Sequence, residues 1–382
     1  MSTASIESTQ NPLAGLWKPT HINRLHYGSG SVQKHLLECL PGDKSKAFII
    51  TGSSLANKTS LIKQVEELLG SRHAATYSKI GQHAPIKQLD EATELVKKDQ
   101  NIDTIISIGG GSPIDSAKAI SHRLNEKSGK YLFHITIPTT LSAAECTMIA
   151  GYTDESGLKT GVAHPELVTH VVLYDSKFML ETPPWLMMST AMRSMDHAME
   201  LMYHPTSTEM PCKALALYAA GQLYNTLPKY KANPKDEQLI TRLQLAAFAS
   251  LGFIALNVKG GLGLSHALGY ALGSPYGIPH GITSCLTLGH VVKLKADRSK
   301  DDAAQIARMA PQVGVTASGD DVKDAKAVGD AILDLVKRLD LKTTLTEQKV
   351  GKDQVHQITK LASGSESGDL YDQVKALVEG LY

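Results

Sequence analysis

TIISIGGGSPIDSAK, residues 104–118, decides the architecture. TIISI is a short apolar run of the kind buried in a parallel sheet. Gly109, Gly110 and Gly111 follow at once, and Ser116 to Leu124 reads as a helix. Successive glycines permit positive φ and let backbone N–H groups approach a ligand closely. The helix after them points its positive end at the same spot. Strand, glycine turn and helix in that order make a pyrophosphate cradle. The spacing is neither GxGxxG nor GxxxxGK[ST]. A plain tight turn is the bland alternative, and the flanking strand and helix weigh against it.

The pattern extends on both sides of this stretch. Ala47 to Thr51 (AFIIT), Ala75 to Ile80, Tyr131 to Ile137 (YLFHITI) and Val168 to Tyr174 read as strands. Asn57 to Leu69 and Leu89 to Lys98 carry apolar residues at helical spacing. Alternating strands and helices favour a parallel α/β sheet covered on both faces. Ligands bind at the carboxyl ends of strands in such sheets. Two further segments fall at those ends: Gly52, Ser53 and Ser54, and then Thr139, Thr140 and Ser142. Their hydroxyls suit phosphate, ribose or nicotinamide, although each alone is more often loop chemistry.

The rhythm changes at Thr182-Pro183-Pro184. Beyond it Ser189–Tyr203, Cys212–Leu227, Glu237–Val258 and Ala325–Leu341 are helix-like, and strand character is scarce. The reading is a polar arm over 1–20, an α/β dinucleotide-binding domain over 21–182 and an all-helical catalytic domain over 183–382.

Composition excludes several classes. The 382 residues hold 39 basic and 38 acidic side chains, a net charge of +1 that does not suit a nucleic-acid binder. Cys39, Cys146, Cys212 and Cys285 form no CxxC pair, so no structural zinc site or disulfide framework is expected. MSTASIESTQNPLAGLW lacks a basic cluster followed by an apolar run, and Leu243–Val258 is too polar to span a bilayer. A cytoplasmic location is the expectation. Histidine is the one excess, at 15 residues. His21, His26, His35, His73, His122, His170 and His356 show no partner pattern. His197, His266 and His280 lie in a helical pattern, in GGLGLSHALGYALG and in YGIPHG. Imidazoles from separate elements can converge on one pocket for metal binding or proton transfer.

Together the motifs resemble the iron-containing (group III) alcohol dehydrogenase family. They are GGGSPIDSAKAI, IPTTLSAAE, a helix with HAME, and SHALGYALGSPYGIPHG. KTGVAHPELVTHVVLYD, TPPWL and HAMELMY look nearer still to its metal-free branch, the maleylacetate reductases. The resemblance runs over about 24–295. It implies the dehydroquinate synthase-like architecture, a homodimer, NAD(H) or NADP(H), and an active site between an α/β and an all-α domain. Gly109, Gly110, Gly111 and Ser112 match the pyrophosphate loop, and Asp115 and Lys118 continue its motif. Thr139, Thr140 and Ser142 match positions near nicotinamide and phosphates, and Lys159 the lysine near the ribose. Gly52 stands where NAD-preferring members often carry Asp, so NADP(H) is expected to be admitted.

The chain departs from the pattern at the metal. Iron-type members have Asp four residues before the first ligand histidine; that position is Arg193. A guanidinium has no lone pair to give. Asp196 lies ~100° round the helix and is expected to point elsewhere. Tyr270 takes the place of a further family histidine. The expectation is an NAD(P)H-dependent reductase of a carbonyl or enoyl group on a small anionic substrate, without catalytic metal. Arg193 would bind the substrate carboxylate or polarise the carbonyl in an electropositive pocket. His197, His266 or Tyr270 would give the proton, with His280 beside them. One alternative is an alcohol dehydrogenase with iron or zinc on His197, His266 and His280. The other is a non-redox isomerase or lyase on the same scaffold.

Overall fold

The computed structural model describes residues 17–252 and 257–382, the side chains of 127 and 128 excepted. The expected arm over 1–20 therefore lies mostly outside the described residues; of the helix expected over 237–258, residues 253–256 also lie outside them, and 252, 257 and 258 are not helical. Two compact units are formed. One comprises 20–183 with 234–244; the other comprises 184–233 and 245–382 together with 17–19.

In the first unit the elements follow one another as β1 (Arg24–Tyr27), α1 (Ser31–His35), β2 (Lys46–Thr51), α2 (Ser53–Lys58), α3 (Leu61–Leu69), β3 (His73–Tyr77), α4 (Ile86–Val96), β4 (Ile102–Gly109), α5 (Gly111–Ser128), β5 (Phe133–Pro138), β6 (Ile149–Thr153), β7 (Lys159–Ala163), β8 (Val171–Tyr174) and α6 (Ser176–Met179). Six strands make one parallel sheet in the order β1-β8-β5-β4-β2-β3, and β6 and β7 pair as a separate antiparallel ribbon. Side chains alternate across the sheet, as a pleated strand requires. Ile49, Ile106, Ile108 and Ile135 pack with Val32, Leu61 and Val65 on one face. Phe48, Ile50 and Ile105 pack with Ala92, Ala117 and Ile120 on the other. Each apolar run is thus buried on both sides, which is why the strands read as near-continuous hydrophobic stretches.

The helix expected over 57–69 is two helices. Thr59 is extended, its hydroxyl donating to Leu55 O at 2.7 Å and accepting from Leu61 N at 3.3 Å. A short hydroxyl side chain that bonds nearby backbone groups competes with the helix ladder.

The second unit contains α7 (Pro184–Met202), α8 (Ala214–Ala232), α10 (Leu264–Tyr276), α11 (His280–Arg298), α12 (Lys300–Ala307), α13 (Asp321–Arg338), α14 (Val355–Ser363) and α15 (Asp369–Glu379). Between α8 and α10 runs α9 (Glu237–Leu251), whose residues up to 244 group with the first unit. No strand is found among the described residues of the second unit. Helix α7 is buried continuously from Met187 to Met202. Such a helix holds charged side chains only where they are paired. Gly281, at the start of α11, lies so close to α7 that a Cβ there would come within 2.4 Å of Ser189 O. Leu268 and Leu272 of α10 pack with Val291 of α11 and with Ile358 and Val374 of α14 and α15. No described helix is long and apolar enough to cross a membrane.

Candidate active site

In the nucleotide-binding unit, strand register sets the site. Thr51 lies opposite Ile108, and Ile108 opposite Ile137. Residues 52–54, 109–112 and 139–142 therefore leave three adjacent strands at one edge. Gly109 O accepts from Thr139 N at 2.9 Å. Gly109 has φ +141°, which favours glycine. A Cβ on Gly110 would meet Thr140 Cγ2 at 3.0 Å, and one on Gly111 would meet Ser142 Oγ at 3.4 Å. The glycine turn and the threonine loop thus press together, with no room for side chains between them. Helix α5 starts at this point with no side-chain cap on its first N–H groups. Eighteen residues of aligned dipole behind open N–H groups fit a pyrophosphate.

Two residues of the family motif do other work. Lys118 is buried and donates to Ala144 O at 2.6 Å, Thr147 O at 2.7 Å, and to Thr147 Oγ1 and Ile149 O at 3.2 Å. Its ammonium is spent on holding loop 144–149, so it positions the cradle and does not reach into it. Burial raises the Asp115 carboxyl above its ordinary range, although Lys118, Lys159 and the Gly151 backbone pull it down. Lys159 lies on the β6–β7 ribbon, which sequence reasoning did not foresee. A Cβ on Gly151 would touch both Lys159 Nζ, at 3.0 Å, and Asp115 Oδ2, at 3.5 Å. Behind the threonine loop, Tyr174 donates its hydroxyl to the buried Glu145.

In the helical unit, α7, α10 and α11 gather the second set. His197 and His266 are buried with ring centroids 5.0 Å apart. Two carboxylates that sequence reasoning had not assigned lie beside them. Glu200 Oε2 accepts from His266 Nδ1 at 2.6 Å and from Gly263 N at 2.7 Å, and Glu200 Oε1 accepts from Ser265 N at 2.7 Å. Glu200 therefore anchors the start of α10 and the His266 ring together. Asp196 Oδ2 accepts from Ser284 Oγ at 2.6 Å and Ser265 Oγ at 2.9 Å. Arg193 Nη1 lies 3.5 Å from the same oxygen and donates to Ser284 Oγ at 3.4 Å.

This corrects the sequence reading of Asp196 and of the pocket's charge. A side chain ~100° round α7 does not point away, because α10 and α11 flank the helix and receive it. Arg193 is 7% exposed and held against the fully buried Asp196. The cluster offsets Arg193 with two carboxylates, so it is charge-balanced and not simply electropositive. Gly269 leaves room for the guanidinium: a Cβ there would meet Arg193 Nη1 at 3.1 Å. Tyr270 is 46% exposed and makes an edge-on ring contact with His280, at 5.9 Å between centroids. These two form a second pair at the α10–α11 turn.

The two central imidazoles are driven apart in protonation. Burial pushes His197 well below its ordinary pKa, and His266 and Arg193 push it further. Burial and Arg193 also oppose charge on His266, but Asp196 and Glu200 outweigh them and raise its pKa. His266 Nδ1 faces both carboxylates, with Asp196 Oδ1 at 3.4 Å. His266 Nε2 and His197 Nδ1 are buried without hydrogen-bond partners. The surroundings thus favour the charged form on His266 and the neutral form on His197.

The iron-containing alcohol dehydrogenase model matches residues 23–176, and the model for that family's C-terminal domain matches 187–375. The chain belongs to the iron-containing alcohol dehydrogenase family. It is an oxidoreductase built for a nicotinamide cofactor. A maleylacetate reductase from Rhizobium sp. (strain MTP-10005) is 27% identical over 90% of this chain and 89% of its own length. Another, from Sphingobium indicum, is 29% identical over 56% of this chain; the match spans 57% of that protein. The crystal structure of maleylacetate reductase from Agrobacterium tumefaciens superposes with a TM-score of 0.80, at 22% identity over 97% of this chain and 98% of that one. The parallel α/β unit and the all-helical unit are that fold.

The family name implies a metal, and the anionic ligand that the iron-type pattern needs is missing here. Arg193 stands four residues before His197, where the iron-type pattern needs an anionic ligand. Asp196, Glu200 and His266 bring candidate ligand atoms within 4.8 Å of one another. Those oxygens already accept from two serine hydroxyls, two backbone N–H groups, an imidazole and a guanidinium. Glu200 and Asp196 Oδ2 are thus taken up by protein donors, while Asp196 Oδ1 is buried without a hydrogen-bond partner.

Proposed function

We propose that this protein reduces the carbonyl group of a small oxo acid of the maleylacetate kind, with reduced nicotinamide and without a catalytic metal. The observation that carries the proposal is the His197–His266 pair, with His266 Nδ1 held by Glu200 at 2.6 Å and its Nε2 buried without a partner. Paired groups whose environments separate their pKa values mark acid and base roles. When bound in the glycine cradle, the reduced nicotinamide supplies hydride to the carbonyl carbon. His266 Nε2 supplies the proton to the oxygen, so one hydride and one proton convert the ketone to an alcohol. Maleylacetate would enter through its keto tautomer or be reduced formally at its carbon–carbon double bond. His197, kept neutral by burial and by the neighbouring cations, lies beside it.

Arg193 is the proposed anchor for the substrate carboxylate. A guanidinium carries five N–H donors, and the contacts to Asp196 and Ser284 use only Nη1. Arg193→Ala should raise KM for an acidic substrate by at least about ten-fold, as loss of a charge-assisted contact does, and leave nucleotide affinity intact. It also strands Asp196, and breaking a buried pair on one side costs about 3–5 kcal/mol. Arg193→Ala with Asp196→Asn should regain much of the melting temperature and none of the substrate affinity. Unchanged kinetics in the single variant would remove Arg193 from the site.

We propose further that NADP(H) is accepted. Position 52 carries no carboxylate to repel a 2′-phosphate, and a Cβ there would already lie 3.1 Å from Ile80 O. Gly52→Asp should shift the ratio of kcat/KM for NADPH over NADH towards NADH by at least about ten-fold. An unchanged ratio would place cofactor choice elsewhere. Four buried free cysteines suit a reducing compartment such as the cytoplasm.

The whole reading is tested by following NADPH and NADH oxidation against short oxo acids and aldehydes, with elemental analysis of chelator-free protein. Turnover on oxo acids by metal-free enzyme is expected. About one iron or zinc per chain, with activity lost on chelation, would overturn the metal-free mechanism.

A further inference from the structure

We infer that His26, His35 and Glu38 form a binding site for a divalent transition-metal cation of the zinc class, separate from the residues assigned above. Spacing along the chain left these two histidines incidental; the fold brings them together.

His26 lies on the edge strand β1, His35 ends α1, and Glu38 follows in the 3₁₀ turn Leu37–Cys39. Each offers a ligand atom, and the three atoms lie within 4.8 Å of one another. The two imidazole rings stack at 4.2 Å with 17° between their planes, so their in-plane lone pairs run side by side and one ring turns about its side-chain bonds to share an ion with the other. His35 Nδ1 lies 2.7 Å from Glu38 Oε1, and His26 Nε2 is buried without a hydrogen-bond partner. A buried ring nitrogen with no partner is a lone pair or an N–H left unused.

Both sides of the cluster are fixed by the same strand end. His26 pairs in register with Leu173 of β8. Just beyond β8, the Asp175 carboxylate accepts from Gly30 N at 2.9 Å and Val32 N at 3.0 Å, which seats α1. Ser31 Oγ adds a bond to Tyr174 O at 3.1 Å. The backbone that carries the ligands is therefore in place, and only side-chain rotation is needed to meet a cation.

The charges around the cluster agree with this use. Glu38 sets a carboxylate beside the two imidazoles. Arg24 is the opposing group, and its Nη1 donates to Glu38 O at 3.1 Å. Two imidazoles and one carboxylate are the donor set of zinc, copper and nickel, with a position left for water. The half-exposed setting makes the ion exchangeable, and binding would tie the edge strand to α1.

The test is zinc titration of tag-free full-length protein by calorimetry, with cobalt absorption as a second readout. One zinc per chain is expected, with a rise in melting temperature. His35→Ala and His26→Ala should each weaken binding by at least ten-fold and cancel the thermal shift. Glu38→Gln, which keeps the side chain's size, should weaken it while leaving the metal-free melting temperature unchanged. His266→Gln should bind zinc as the native chain does. Absence of saturable binding overturns the inference, as does binding that survives both histidine substitutions or is lost in His266→Gln.

Discussion

His266→Gln is expected to lower kcat for carbonyl reduction by about 10²–10⁴-fold, the usual worth of a positioned general acid. Nucleotide affinity, measured by NADPH fluorescence, should not change. Glutamine keeps a hydrogen-bond donor towards Glu200 but cannot release a proton. The pH profile carries a second signature. Asp196 and Glu200 raise the His266 pKa, so the donor form is fully present below its ordinary ~6.5 and persists above it. The reductive rate should therefore be flat at low pH and fall as pH climbs through the raised value. Glu200→Gln removes one of the charges that raise it and should move that fall to lower pH. A profile identical in Glu200→Gln and native enzyme, or normal turnover in His266→Gln, would transfer the acid role to another group.

The second large effect is expected in the other unit. Gly110→Val should weaken nucleotide binding by at least about 100-fold, since the cradle works only while backbone N–H groups can close on phosphate. Position 110 has extended backbone, so valine is not strained there; its methyl groups would meet Thr140, already 3.0 Å from a bare Cβ. Gly110→Ala should give a smaller loss in the same direction. Fluorescence titration reads both, and circular dichroism checks that the sheet is kept. Native-like affinity in Gly110→Val would mean the pyrophosphate lies elsewhere.

The cradle was legible in sequence because a buried parallel strand is an uninterrupted apolar run and its terminating glycines stand out. The β6–β7 ribbon was not. IAGYT and KTGVA are short, half-polar and interrupted by glycine, and only their partnership makes them strands. Strand β1, RLHY, was missed for the same reason. In the helical unit the imidazoles were found and the carboxylates were not. A helical wheel assigns one buried face, whereas α7 is enclosed on all sides. The signal was present in another form: Arg193, Asp196, His197 and Glu200 are polar residues at three- and four-residue spacing in a helix that from Leu186 on is otherwise made of Met, Ala, Leu, Ser and Thr. Charges in a fully buried helix must find partners, and that rule alone would have joined Asp196 to Arg193 and Glu200 to something across the packing.

Glu200 satisfies Gly263 N, Ser265 N and the His266 ring at once, and a Cβ on Gly263 would fall 2.7 Å from its Oε1. In evolutionary terms this locks four positions into one heritable block. A change at 200, 263, 265 or 266 disturbs the seating of a helix and the proton donor in the same step. The seating of α10 and the orientation of His266 therefore cannot be altered separately, whereas Arg193 lies outside that block.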